Sequence, residues 1–252
     1  MKKFFNLFLV AVLMFSAIAL VGCKDKDPEP DPQPAVETEG KGYGIVHKDY
    51  VGMVTLKVKE GKVTSAKFDE FFLPSHWAVV TGEVDASLVV EIAGKGGKIN
   101  KLAKYIKIGD KLFTANAEGV YSAEGIADLK AHVAASEANA KWYVEALVAG
   151  QGKAVDAQGV ELTAAYTAKA EGFFKTSENY WPASQGKGLG WAPNMDALAA
   201  AIVGTSMDLT ADQLVKGEDG KWSFGSVVTG ATLTDAKDYY AVAKLAYAAA
   251  TK

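Results

Sequence analysis

The stretch from Tyr50 to Phe72 leaves the backbone little choice. Tyr50, Met53, Thr55, Leu56 and Val58 form a β-rich run, and Val63, Ala66, Phe68, Phe71 and Phe72 form a second. Only Glu60-Gly61 and their flanking lysines separate the two, and a tight turn with glycine brings such runs together as an antiparallel hairpin. The spacing predicts antiparallel strands over 43–73. Tyr105 to Phe113 repeats the pattern, with Gly109-Asp110 at the corner. Val79-Val80 and Leu88 to Ile92 read as further strand.

Helical periodicity takes over afterwards. Leu129, Val133, Trp142 and Leu147 mark a stripe over 126–149 that Gly150 stops and Ser136 to Asn139 can divide. A shorter helix is predicted over 162–174. Another, capped by Asn194 or Asp196, runs through Ala201 and Ile202 to Gly204. Trp222, Phe224, Val227 and Val228 read as a strand. The last helix begins at Thr234 or Asp235, with Tyr239, Val242, Ala243, Ala246 and Tyr247 on its apolar side. The expected class is α+β, an antiparallel sheet with packed helices.

The N-terminal part follows different rules. Met1-Lys2-Lys3 precedes an apolar run from Phe4 to Val21, the form of an export signal, here residues 1–22. Residues 23–40 hold four of the chain's seven prolines together with six acids. Such a stretch cannot bury apolar surface and is expected to be an extended tether of about 50 Å at ~3.1 Å per residue. Residues 41–252 are left as the folded domain. They carry 24 acids against 23 lysines and no arginine. A nearly neutral domain without guanidinium groups lacks the electrostatic footprint of a nucleic-acid binder, so no nucleic-acid partner is expected.

Chemistry-bearing residues are few. Cys23 is the only cysteine, which excludes a disulfide. His47, His76 and His132 are far apart in sequence and show no metal-ligand spacing. Gly94-Lys95-Gly96-Gly97-Lys98 lacks the spacing and the final hydroxyl of a phosphate loop. No Gly-x-Ser-x-Gly is present, and no turnover site of the protein's own is expected. Two stretches stand out. Tyr180 to Trp191 sets tryptophans on either side of a polar, glycine-rich loop, a composition suited either to a planar ligand or to plugging the edge of a core. Ser226 to Asp235 runs from β-branched residues through Thr229, Gly230, Ala231 and Thr232 into a helix. A hydroxyl at such a corner lies near unpaired N–H groups and the positive helix end, where a phosphate is held at least cost.

Two resemblances give these stretches a meaning. Leu20-Val21-Gly22-Cys23 resembles a lipobox, which implies cleavage before Cys23 and acylation of that residue. Thr229-Gly230-Ala231-Thr232-Leu233-Thr234 resembles the Ser/Thr-Gly-Ala-Thr-x-Thr run of the FMN-binding domain, whose second threonine a flavin transferase esterifies with FMN through its phosphate. Leu56 to Phe68 is similar to the opening hairpin of that family. The resemblance implies FMN on Thr232, with the backbone N–H groups of Leu233, Thr234 and Asp235 around its phosphate and Thr229, Gly230 and Ala231 as further cofactor-binding residues. Tyr180, Trp181 and Trp191 are the expected ring walls. It further implies an electron carrier, not an enzyme, lipid-anchored at the cell envelope, on the outer side of the cytoplasmic membrane or in the outer membrane. A flavin transferase and a membrane dehydrogenase or quinone-linked donor are the implied partners. Ser226 stands where the family has an acid linked to transferase recognition. Non-covalent FMN, and a non-redox surface lipoprotein binding a small ligand or partner, therefore stay open as alternatives.

Overall fold

Three long strands form the frame: β1 (Thr38–Val46), β2 (Tyr50–Lys59) and β3 (Lys62–Phe72) pair in sequence order as an antiparallel meander. The computed structural model describes residues 35–94, 97–162, 166–167, 175 and 189–252. Glu60 and Gly61 both adopt positive φ, 51° and 70°, at the predicted turn. That geometry matches the right-handed twist of the strands it joins. β1 opens at Thr38, within the stretch expected to be tether, because its backbone pairs with β2 from Thr38↔Val58 onward.

Side-chain alternation gives the meander two buried faces. Tyr43, Val51 and Phe71 enter one core, and Val46, Val54, Leu56 and Phe68 enter a second. The first core is roofed by the middle of the chain. There α1 (Pro74–Trp77), β4 (Val79–Val80), β5 (Val89–Ala93), β6 (Ile99–Ala103), β7 (Tyr105–Ile108), β8 (Lys111–Ala115) and β9 (Tyr121–Ser122) precede α2 (Leu129–Ala134) and α3 (Glu137–Val148). Ser136 caps α3 by accepting from Asn139 N–H at 3.2 Å, which is why one apolar stripe becomes two helices. β10 (Gly152–Val155) completes a sheet in the order β10-β7-β8-β9. β11 (Tyr166–Thr167) joins the other in the order β11-β4-β6-β5. The predicted helix over 162–174 is thereby corrected at Tyr166-Thr167: an aromatic and a β-branched residue pair with the open edge of β4, and pairing overrides the helical pattern.

The second core holds the C-terminal part: α4 (Trp191–Ile202), β12 (Leu214–Lys216), β13 (Trp222–Phe224), β14 (Val227–Val228) and α5 (Ala236–Ala250). β12, β13 and β14 form a small antiparallel sheet. Trp222 to Val228 is thus a hairpin turning at Gly225 (φ 58°), not one strand. α4 starts at Trp191, with Gly190 as N-cap, earlier than the predicted caps. Pro193 explains the difference, since its fixed φ and missing N–H suit a first helical turn.

β1 and α5 approach backbone to backbone. A Cβ on Gly40 would lie 2.2 Å from the Ala246 carbonyl oxygen, and one on Gly42 would lie 2.3 Å from that of Val242. Ala243 and Ala246 complete the seam from the helix side, both fully buried. No helix among the described residues is long and apolar enough to cross a membrane.

Candidate functional site

Thr232 lies in the connection between β14 and α5, and its position is set by two devices, one within the loop and one from α4. Gly230 takes φ 78°, while the Thr229 hydroxyl donates to Trp222 O at 3.0 Å and accepts from Ala231 N–H at 2.9 Å. Side-chain bonding of this kind closes a turn that the strand ladder no longer holds. The far end is fixed by Trp222 Nε1, which donates to Leu233 O at 2.7 Å, and by Lys216 Nζ, 3.0 Å from the same oxygen.

The second device is Asn194, in the first turns of α4 and 1% exposed. Its Oδ1 accepts from Thr232 N–H at 2.7 Å and from Leu233 N–H at 3.2 Å. Its Nδ2 donates to Leu189 O and Gly190 O, both at 2.9 Å. Leu189 N–H in turn donates to Thr232 Oγ1 at 3.1 Å. A buried amide must satisfy both ends, and here the motif loop and the entry to α4 satisfy it. This corrects one expectation. The N–H of Leu233, assigned to a phosphate, is spent on Asn194. Thr232 itself precedes the first residue of α5 by four positions.

Beside Thr232 opens a cavity of about 410 Å³, lined by His47, Tyr50, Glu70, Lys175, Trp191, Asn194, Met195, Thr232, Leu233, Thr234 and Tyr239. Its volume falls in the range of small-molecule sites, roughly 300–1,000 Å³. Tyr50, Trp191 and Tyr239 supply aromatic surface. Glu70 is fully buried at the inner end. It accepts from Lys175 Nζ at 2.8 Å and from Trp191 Nε1 at 2.5 Å. Burial first, and then the neighbouring Glu70 charge, push the Tyr239 phenol well above its ordinary 10.0. The Lys175 ammonium sits 3.3 Å from the Tyr50 ring centroid, a cation–π contact. At the rim, His47 Nδ1 lies 2.5 Å from Asp235 Oδ2, and His47 N–H donates to Asp238 Oδ2 at 3.1 Å. The β1–β2 turn is thereby clasped to the start of α5.

Of the residues expected from the sequence, Thr232, Leu233, Thr234 and Trp191 come together on the cavity wall. Thr229, Gly230 and Ala231 form the supporting turn, and Asp235 is the N-cap of α5 and partner of His47. Ser226 is exposed in the β13–β14 turn. Tyr180, Trp181 and Cys23 lie outside the described residues. Glu70, Lys175, Asn194, Tyr50, Tyr239 and His47 also line the cavity and were not expected there from the sequence. The one available signal was Asp69-Glu70, two acids inside the apolar run Phe68 to Phe72. Both are buried, and buried acids are rare unless paired. No family model, curated protein or solved structure matches the chain.

Proposed function

We propose that this chain is an exported, lipid-anchored flavoprotein that carries FMN on Thr232 and relays electrons at the cell envelope. The observation that carries the proposal is the place of Thr232. The residue matching the esterified threonine of the FMN-binding run lines the aromatic-walled cavity described above. The residues around it fit a flavin ring and its attachment point: room of about 410 Å³, ring surfaces from Tyr50, Trp191 and Tyr239, and a threonine hydroxyl on the wall. FMN, when bound, supplies the redox chemistry.

The chain's own residues hold and orient. Asn194 fixes the Thr232 backbone, and Thr229 and Gly230 close the turn behind it. The Thr232 hydroxyl would be the acceptor of the flavin phosphate: it would give its proton to a base of the transferase and bond to phosphorus as the pyrophosphate bond to a departing nucleoside monophosphate breaks. Trp191 donates to Glu70 through Nε1 and, with Tyr239, lines the cavity wall where the flavin ring would lie. Acylated Cys23 and the tether would hold the domain within reach of a membrane dehydrogenase or quinone-linked donor.

Coexpression with a flavin transferase tests the proposal. The expected outcome is in-gel flavin fluorescence that survives denaturation in wild type and is absent from Thr232→Ala. A dark wild-type band, or a fluorescent Thr232→Ala band, refutes covalent attachment. Colour lost on denaturation instead favours the non-covalent reading, which the exposed Ser226, in the place of the family's acid, supports.

A further inference from the structure

His47 lines the cavity and belongs to the turn that joins β1 to β2. His47 and Lys48 take φ of 47° and 62°, two successive left-handed residues with no glycine between them. Non-glycine residues seldom adopt that conformation, and it persists where surrounding contacts overdetermine it, often at functional sites. Here Asp238 Oδ2 accepts His47 N–H, Lys130 of α2 pairs with Asp49, and Asp235 Oδ2 accepts from His47 Nδ1. An ionised carboxylate only accepts, so the contact with Asp235 puts the imidazole hydrogen on Nδ1 and leaves Nε2 to carry the exchangeable proton. No described residue hydrogen-bonds to Nε2, and the side chain is 48% exposed, open to exchange with solvent.

The other titratable groups on the described cavity wall do not suit exchange near neutral pH. Glu70 and Lys175 form a buried ion pair. Tyr50 and Tyr239 are phenols, which ordinarily titrate at about pH 10, and burial raises Tyr239 further. Imidazole is the side chain that ordinarily changes charge between about pH 5 and 8. On the basis of the flavin site proposed above, we infer that His47 is the proton-exchange residue of this cavity, with Asp235 as its positioning residue. As a bound ring is reduced, the His47 imidazolium gives it the proton on Nε2, and the N–H bonding pair stays on that nitrogen. The electrons come from the dehydrogenase or quinone-linked donor, which is oxidised, and a solvent proton restores the imidazolium. Asp235 keeps the other hydrogen on Nδ1 throughout. The charged groups around His47 are Asp235 and Asp238 at the start of α5, Lys48 and Asp49 in its own turn, and Lys130 of α2 through Asp49. His76 approaches through Tyr50, their ring centroids 5.2 Å apart.

The test loads the full chain with FMN by the transferase, or with free FMN where the gel shows no covalent flavin. Reduced methyl viologen, which gives electrons and brings no proton, then reduces it in stopped flow. The wild-type rate is expected to fall as pH rises from about 5 to about 8, where histidine ordinarily loses its charge. His47→Gly suits the left-handed backbone and keeps the N–H that Asp238 accepts. At the acid end it is expected to react about a hundredfold more slowly, the lower end of general acid catalysis. Its rate is expected to be flat over the same range and to recover when free imidazole is added. Imidazole would not restore a turn that mattered only for structure. In the flavin-free chain, nitrogen NMR of neutral His47 is expected to place the hydrogen on Nδ1 in wild type and to move it towards Nε2 in Asp235→Ala. A flat wild-type profile, a His47→Gly rate equal to wild type, a slow His47→Gly that imidazole leaves slow, or a wild-type hydrogen on Nε2 each overturns the inference while bound FMN leaves the flavin site standing. A chain that takes up FMN by neither route overturns the flavin site and this inference together.

Discussion

Asn194 Oδ1 accepts the backbone N–H of Thr232 at 2.7 Å across 38 residues of sequence. One buried amide thus joins the first turns of α4 to the threonine run. Asn194→Ala strands the N–H groups of Thr232 and Leu233 and the carbonyl of Leu189, while Gly190 O keeps the backbone N–H of residue 194. Leaving buried polar groups unpaired costs about 1–3 kcal/mol each where water cannot replace the partner. The expected result is a clear fall in Tm by circular dichroism. Asn194→Asp is expected to fall as well, since a carboxylate oxygen would face the two carbonyls that Nδ2 now serves.

Glu70 and Lys175 predict a non-additive pair of mutations. Either Glu70→Gln or Lys175→Met breaks the buried pair by removing one charge, at about 3–5 kcal/mol. E70Q/K175M removes both charges and is expected to be more stable than the Lys175→Met single variant. Chemical denaturation of the three variants closes the cycle. Additive losses would show that the two side chains do not act as a pair.

Gly42 meets Val242 O where a Cβ would sit 2.3 Å away. Gly42→Ala must push α5 off β1 and is expected to destabilise by about 1–3 kcal/mol or more. Gly44→Ala is the milder comparison, because its Cβ would meet a side-chain methyl of Val242 at 3.1 Å and no backbone atom. A Tm for Gly42→Ala equal to that of Gly44→Ala would contradict the close seam.

Four tyrosines set the alkaline limit. Burial raises the phenols of Tyr43, Tyr143, Tyr239 and Tyr240 above 10.0. Tyr143 is the most confined: it donates to Phe72 O at 2.6 Å and accepts from Trp77 Nε1 at 2.9 Å. A folded-state value above the unfolded one means that the folded chain keeps protons the unfolded chain gives up. Stability is therefore fully present below about pH 10 and lost as pH rises beyond it. Tm measured from pH 8 to 12 is expected to hold level and then fall. Tyrosinate absorbance from these residues is expected to appear with unfolding and not before it.

The sequence alone determined most of the local structure. The Glu60-Gly61 hairpin, the Gly109 corner, the division of the helix at Ser136 and the apolar face of α5 follow from turn chemistry, capping and periodicity, which depend on near neighbours. It also marked Thr232, because a motif is a local pattern. The tertiary structure decided what long-range contact decides. β4 offered an open edge, so Tyr166-Thr167 became strand. Asn194, read as a helix cap, instead became the anchor of Thr232, because the loop after β14 lies across the start of α4. Glu70 and Lys175, 105 residues apart, met only when β3 was buried on both faces. Side-chain alternation shows which residues leave a strand on the same side, but not what waits there. A cavity is made of such meetings, so its floor, its cation and its rim were settled by folding.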